Sequence, residues 1–198
     1  MTPDLFLALA AFAFVSSITP GPNNLMLLAS GVNFGFRRTI PHMLGIGIGF
    51  TAMVALVGLG LAGIFTAWPP ARPALKIAAT AYMLWLAWKI AHAAPPEAAH
   101  SASARPLTFV QAAAFQWVNP KAWTMALGAV ALYAPGQELG AVLWVAGVFG
   151  LVNLPCVSSW TVLGLALRRV LADPPRRRLF NRGMALLLVA SLYPVLTG

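Results

Sequence analysis

The chain has 198 residues, of which 60% are hydrophobic and only 9% are charged. A soluble domain carries about 25% charged residues, so this chain cannot cover a folded surface with polar groups, and water is excluded as its solvent. The single cysteine, Cys156, excludes a disulfide framework, a redox thiol pair and a cysteine-based zinc site. The net charge of +9 does not indicate nucleic-acid binding, because the basic residues cluster in short loops between apolar runs.

Six apolar runs meet or approach the length of about 20 residues that a membrane-spanning helix needs. They predict an all-α membrane protein with six transmembrane helices. The first run begins without a basic segment, which favours a retained helix over a cleaved signal peptide. The runs cover residues 5–31, 42–68, 74–92, 107–133, 139–167 and 179–196.

The first run is interrupted near its centre by the sequence TPGPNN. Proline lacks an amide hydrogen and glycine adds backbone freedom, so both are poor choices inside a helix. A break frees N–H and C=O groups, which a membrane tolerates only where protein buries them or water reaches them. The positive end of a broken helix also suits a substrate carboxylate. The substrate-binding residues predicted here are Thr19, Pro20, Gly21, Pro22, Asn23 and Asn24.

The second run carries the glycine-rich sequence GIGIG at residues 45–49. Small residues at this spacing indicate either close helix packing or part of a substrate path. His42 lies at the start of the run, where we expect an interfacial residue rather than a proton relay.

A polar stretch after the third run, AAPPEAAHSASARP, is typical of a flexible link because of its proline, alanine and serine content. The chain is therefore predicted to be a single transmembrane domain made of two halves. The first repeat covers about residues 1–93, the linker residues 94–106 and the second repeat about residues 107–198.

The fourth run repeats the interruption with the sequence FQWVNPKAW. Aligning Pro120 with Pro22 places one proline break in the first helix of each three-helix half. Because three is odd, the halves face opposite ways, and inverted repeats with broken helices in matching positions point to a transporter site. Proline kinks that serve only packing are the alternative. Asn119 and Pro120 join the predicted substrate-binding residues.

Lys121 is the only charged residue near the middle of a predicted span. On insertion scales a central lysine costs roughly 2.5–3.5 kcal/mol. No acidic residue lies deep in any run, so the lysine has no intramembrane carboxylate partner within this chain. Either it faces water and the anionic group of a substrate, or backbone carbonyls freed at a helix break hold it. Since intramembrane charges are functional by default, substrate binding is the working hypothesis.

The fifth run contains NLPCVSSW, which predicts a third proline interruption. Asn153 in this sequence is expected to face inward and completes the predicted substrate-binding set. The sequence offers no catalytic residues, no metal ligands and no cofactor motif. The lack of a P-loop argues against a self-contained ATP-driven pump.

Basic residues in alternating loops predict the orientation. Arg37 and Arg38 follow the first run, Lys89 and Arg105 flank the link, and a cluster of arginines lies within residues 168–182. Loops rich in lysine and arginine stay in the cytoplasm. Both termini are therefore predicted to lie outside.

Over nearly its whole length the chain resembles the lysine-exporter (LysE/RhtB-type) family of bacterial amino-acid efflux translocators. TPGPNN is similar to the first-helix signature of that family and NPKAW to its fourth-helix signature. HMLGIGIGF and LKIAATAYMLWLAWKI are similar to its second and third helices. The resemblance implies a multi-pass exporter of the inner membrane, driven by the proton gradient. Its expected partners are membrane lipid and a small-molecule substrate, an amino acid or a related metabolite.

One residue departs from the pattern of the family. Members that export basic amino acids are similar here but carry an acid after the glycines of the second helix, where this chain has Phe50. We therefore expect a neutral or apolar amino acid as substrate. The alternative is a membrane channel or exporter for another small solute or ion, although metal paths need ligands that the runs almost lack. No nucleic-acid partner is expected, and a homo-oligomer is left open.

Overall fold

The computed structural model describes residues 2–93, 105–193 and 196, and within these ranges all regular structure is helical. Most of the predicted linker, residues 94–104, lies outside the described residues. The helices are α1 (Pro3–Ile18), α2 (Pro22–Phe34), α3 (Phe36–Gly58), α4 (Ile64–Ala67), α5 (Ala71–Ala91), α6 (Phe109–Gln116), α7 (Pro120–Tyr133), α8 (Leu139–Leu167) and α9 (Pro174–Ala190), with a 3-10 helix at Leu61–Gly63.

These helices follow the predicted apolar runs. α1 and α2 together cover the first run, α6 and α7 cover the fourth, and α8 coincides with the fifth. The second run is helical over a shorter stretch than predicted, because α3 ends at Gly58. Gly60 then adopts a positive φ of 97°, a conformation that glycine tolerates, and the chain turns into the 3-10 helix and α4.

Residues at the helix starts explain where several helices begin. Thr108 and Gln111 form a capping box at α6, in which each side chain accepts a hydrogen bond from the backbone of the other. Asp173 caps α9 by accepting from the amide of Arg176. α2 and α7 each have proline at their first position, where its missing amide hydrogen costs nothing.

Both predicted helix breaks are present. α1 ends at Ile18 and α2 begins at Pro22, with a bend of 56° between them. α6 ends at Gln116 and α7 begins at Pro120. The third predicted interruption is wrong, because Pro155 lies inside the continuous helix α8. Packing of α8 against α1, α2 and α3 outweighs the backbone hydrogen bond that this proline removes.

Three candidate membrane spans are found among the described residues. By length and composition α3 and α8 can each cross a membrane, and the bent pair of α1 and α2 supplies a third span if it is counted as one. The chain is thus a helical protein with membrane-spanning segments. The six-span inverted repeat predicted from the sequence goes further than these findings and stays a prediction.

Helices from the two sequence halves pack against each other, and this packing brings the breaks together. α8 contacts α1, α2 and α3, while α6 contacts α3 and α9 contacts α5. Gly45 and Gly49 of α3 lie so close to α6 that an added β-carbon would collide with its backbone. Their close approach gives the glycine run a packing role, one of the two explanations left open by the sequence.

Candidate functional site

The first helix break leaves a backbone carbonyl without its helical partner, and side chains satisfy it. The carbonyl oxygen of Thr19 accepts a hydrogen bond from Nδ2 of Asn24 at 2.7 Å and from Nζ of Lys121 at 2.6 Å. The Thr19 hydroxyl lies 2.9 Å from the same Nζ. Of the two explanations for the intramembrane lysine, a freed carbonyl therefore holds it in this structure.

The second helix break positions that lysine. Asn119 precedes α7 and its Oδ1 accepts a hydrogen bond from the backbone N–H of Lys121 at 3.1 Å, as an N-cap residue does. Lys121 therefore lies in the first turn of α7, where the helix dipole disfavours a cation by about 0.3–1 kcal/mol. The contact with the Thr19 carbonyl offsets this unfavourable placement.

Residues from both breaks line one small cavity of about 300 Å³, part of it open to the outside, which we call the Lys121 cavity. Six of the predicted site residues line it: Gly21, Asn23, Asn24, Asn119, Lys121 and Asn153. The sequence missed six others: Ser16, Ser17, Phe50, Ala122, Met125 and Val157. The structure thus brings together residues that are far apart in the sequence.

Four predicted site residues do not line this cavity. Thr19 contributes only through its contacts with the lysine and Asn24. Pro22 and Pro120 start helices, and Pro120 borders a separate apolar cavity instead. Pro20 lies in the exposed segment between α1 and α2. These prolines therefore shape the breaks, and their side chains do not face the Lys121 cavity.

A pair of amides joins the two breaks directly. Nδ2 of Asn23 donates to Oε1 of Gln116 at 2.8 Å, and Nε2 of Gln116 donates back to Oδ1 of Asn23 at 3.2 Å. Gln116 is fully buried at the end of α6 and was missed by sequence reasoning. A glutamine within the fourth apolar run, three positions before Asn119, was the available signal.

Asn153 lines the Lys121 cavity and has one buried polar atom without a partner. Its Nδ2 donates to Oγ of Ser17 at 3.0 Å, and the residue is only 3% exposed. Its Oδ1 has no hydrogen-bond partner among the described residues. Since buried polar atoms are almost always paired, this acceptor is available to a ligand or to water.

One wall of the Lys121 cavity is apolar. Phe50 is 2% exposed, and its ring packs edge-on against Phe149 with the centroids 5.4 Å apart. Met125 and Val157 complete this wall. Among the described residues, none of those lining the cavity is acidic, so nothing in it would pair with a second cationic group.

His42 lies outside the Lys121 cavity, and the expectation that it is interfacial stays a prediction. The residue is buried, with 2% of its surface exposed. α3 begins at Phe36, nearly two turns before His42, so the histidine lies well inside the helix rather than at its end.

These features define a class of protein. Helices able to cross a membrane, two helix breaks that meet, and a half-buried cation that lines a small cavity are the marks of a membrane transport protein.

The chain belongs to the family of LysE-type translocators, whose family model matches residues 14–191. It is similar to the cysteine/O-acetylserine efflux proteins of Escherichia coli (strain K12), Shigella sonnei (strain Ss046) and Shigella flexneri. Each is 32% identical over 195 residues, which cover 96% of this chain and 96% of the relative. No solved structure matches the chain. The family predicted from the two proline motifs is thus confirmed, and the protein is a multi-pass membrane translocator and not an enzyme.

Proposed function

We propose that the protein exports a neutral amino acid, or a related small metabolite, across the bacterial inner membrane through the Lys121 cavity. The observation that carries this proposal is the pair of complementary polar groups in the cavity. The ammonium donor of Lys121 and the unpaired amide acceptor of Asn153 belong to residues that line one cavity, together with the apolar side chains of Phe50, Met125 and Val157.

The ammonium of Lys121 is proposed to bind the substrate carboxylate. A lysine has three N–H donors, and Thr19 takes two of them in this structure. The third is free for a carboxylate, and the Thr19 contact is exchangeable, since charged acceptors bind an ammonium more strongly than neutral ones. Oδ1 of Asn153 is the matching acceptor for the substrate ammonium group.

The apolar wall supports a neutral substrate. At the position of Phe50, similar family members that export basic amino acids carry an acidic residue. Among the described residues that line the cavity, no acidic group takes its place. The similar efflux proteins are named for cysteine and O-acetylserine, which are small and carry no net charge. A substrate of this size and charge fits the proposal.

The proposed architecture is a six-span inverted repeat with both termini outside, and the proposed energy source is the proton gradient. The pattern of basic loops supports the orientation. The interleaved packing of the two halves and a proline break in each half support the repeat.

A metabolite-release screen tests the proposal. Cells that overproduce the protein are compared with a strain that lacks it, and the medium is analysed for amino acids and other small solutes. We expect one or more neutral amino acids to accumulate outside, and less of them after a protonophore collapses the gradient. Release of only inorganic ions or cationic amino acids would contradict the proposal and favour the channel or ion-exporter alternative.

A further inference from the structure

A second cavity lies between α2, α5 and the segment at residues 105–107, and we call it the His42 cavity. It holds about 780 Å³ of empty space, including its opening. Its lining is mainly apolar, but several polar and basic side chains face it. They are Ser30, Asn33, His42, Lys89, His92 and Arg105.

His42 lines this cavity, and the hydrogen-bonding groups of its ring are unsatisfied. The side chain is 2% exposed, and neither Nδ1 nor Nε2 has a hydrogen-bond partner among the described residues. A buried polar atom without a partner costs roughly 1–3 kcal/mol. Because native proteins rarely leave such groups unpaired, a ring with two free nitrogens that lines a cavity indicates a ligand.

The charged groups among the described residues that line the cavity are all basic. Lys89 is half-buried in the wall, with its Nζ 5.4 Å from the ring centre of Trp85, and the cation–π contact occupies none of its N–H donors. Arg105 lies exposed at the rim. Among the described residues no acidic side chain lines the cavity. This arrangement attracts an anion.

The other polar residues of the lining already have partners. The Ser30 hydroxyl lies 2.8 Å from that of Thr39. Nδ2 of Asn33 donates to Oδ1 of Asn181 at 2.8 Å, and the Asn181 amide donates in return. Nδ1 of His92 lies 2.8 Å from the carbonyl oxygen of Trp88. Since His92 and Arg105 are exposed, the more buried groups left to bind a ligand are His42 and Lys89.

Helix α2 connects this cavity with the first one. Asn24 lines the Lys121 cavity and Asn33 lines the His42 cavity. At 1.5 Å per residue the two positions are about 14 Å apart along the helix. A molecule that leaves one cavity along α2 thus has only a short distance to travel to reach the other.

We propose that the His42 cavity is a second binding site for the carboxylate of the transported amino acid. Lys89 provides the charge, an imidazole N–H of His42 donates to the carboxylate, and the apolar lining accepts the side chain. Phe34 lines the cavity, and its ring centre lies 5.8 Å from Cζ of Arg38 in the first turn of α3. In the proposed orientation Arg38 is cytoplasmic, so the site receives substrate on that side before the Lys121 cavity does. This inference rests on the proposed export function.

Protection of engineered cysteines from a thiol reagent tests the second site apart from transport. Ile90→Cys reports on the His42 cavity and Ser16→Cys on the Lys121 cavity, both in a Cys156→Ser background. The probes are O-acetyl-L-serine and a panel of neutral L-amino acids. The matched control is 2-aminoethyl acetate, which is O-acetylserine without its carboxylate. Arg37→Cys, which lines neither cavity, controls for general changes in reactivity.

We expect O-acetyl-L-serine or a neutral amino acid to slow labelling at Ile90→Cys, and 2-aminoethyl acetate to have no effect. Adding His42→Phe keeps an aromatic ring but removes the donor, and should raise the half-protecting concentration by roughly tenfold. His42→Gln keeps an N–H and should restore part of the protection. Lys76→Gln, at the opposite end of α5, should leave protection unchanged.

The outcomes separate the second site from the export function. Protection at Ser16→Cys without protection at Ile90→Cys would overturn the second site and leave export standing. Protection at Ile90→Cys that survives both His42→Phe and Lys89→Gln would also overturn it. Protection at Ile90→Cys that His42→Phe weakens supports the site, even in a protein whose vesicles release no amino acid. Absence of protection at both positions with every probe would overturn it.

Discussion

At the first helix break the backbone supplies a hydrogen-bond acceptor, whereas at the second break a side chain supplies it. Between α1 and α2 the carbonyl of Thr19 lacks a helical partner and accepts from Asn24 and Lys121 instead, and Gly21 offers no side chain to cap α2. Between α6 and α7 the side chain of Asn119 caps the new helix from within its own segment. The second break is therefore self-sufficient, and Lys121 remains free to reach across to the first.

The difference teaches that matching positions in the two halves are not chemically equivalent. Pro22 is followed by two asparagines, whose amides bond to Thr19 and Gln116, while Pro120 is followed by the lysine. One break presents an acceptor and the other presents a cation. Lys121 and the Thr19 carbonyl are in contact, and exchange of that contact for a substrate carboxylate is the proposed transport step.

The comparison of the two breaks depends first on whether the two halves are inverted. Labelling of engineered cysteines from one side of the membrane gives an all-or-none answer. In a Cys156→Ser background, Arg37→Cys follows the first broken helix and Glu138→Cys follows the second. An impermeant thiol reagent added to intact cells should label Glu138→Cys and spare Arg37→Cys until the membrane is opened. Arg176→Cys should behave like Arg37→Cys. Labelling of both loops from the same side would remove the inverted repeat.

The largest effect on transport is expected from Lys121→Met. Losing a charge-assisted hydrogen bond to the substrate costs about 1.5–3 kcal/mol, which is roughly a 10- to 150-fold weaker apparent affinity. Removing a lysine from the membrane also relieves an insertion cost, so the amount of protein should hold or rise. Lys121→Arg keeps the charge in a different shape and should keep part of the function. Transport in reconstituted vesicles measures the affinity.

Lys76→Met is the matched control for that variant. Its Nζ also bonds a backbone carbonyl, that of Leu196 at 3.0 Å, but the residue does not line the Lys121 cavity. We expect unchanged affinity there. Wild-type affinity in Lys121→Met would end the carboxylate hypothesis, and a drop in protein amount would identify the lysine as a structural partner of Thr19.

Much of the architecture could be predicted from the sequence, because proline, apolar length and charge act locally. The breaks before Pro22 and Pro120 followed from the missing amide hydrogen alone. The continuity of α8 through Pro155 could not be predicted in this way, since it depends on packing against three helices that are distant in sequence. A proline in the sequence therefore does not by itself predict a helix break where tertiary contacts can compensate for the lost hydrogen bond.

The site could be predicted only in part, for a similar reason. The sequence indicates that Lys121 lacks an acidic partner, but not that Thr19 lies 102 positions away and 2.6 Å from its Nζ. Gln116 and Ser17 join the site through helix crossings that no spacing rule reveals.

A smaller effect on transport is expected from replacing the prolines at the breaks, and it should differ between the two. Pro120 is the only proline near the second break, so Pro120→Ala restores an amide hydrogen and lets α6 continue into α7. This continuation would displace the Asn119 cap and shift Lys121, and we expect roughly tenfold weaker transport. Pro22→Ala should change transport less, because Pro20 and Gly21 still interrupt the first helix. Vesicle transport, normalised to inserted protein, compares them, and equal losses would contradict the asymmetry of the breaks.

The smallest expected effect comes from Gly21→Ala, and it tests the contact between the two breaks most directly. A β-carbon at this position would lie 2.6 Å from Cδ of Lys121 and 3.1 Å from its Nζ. Since the Gly21 backbone is extended, with a φ of −171°, alanine adds no strain of its own. The flexible lysine stem must move instead, and its Nζ should lose one of two hydrogen bonds to Thr19. That loss, about 0.5–1.5 kcal/mol, corresponds to roughly a two- to tenfold change in apparent affinity.

The sign of that change distinguishes two roles for the contact between Thr19 and Lys121. If Thr19 competes with the substrate for the ammonium, weakening the contact strengthens substrate binding while slowing the return to the empty state, so KM and the maximal rate fall together. If Thr19 only aims the lysine at the cavity, KM rises instead. Gly147→Ala is the matched control, because a β-carbon there meets nothing within 4 Å. A Gly21→Ala protein with the kinetics of that control would show that the two breaks do not act through this contact.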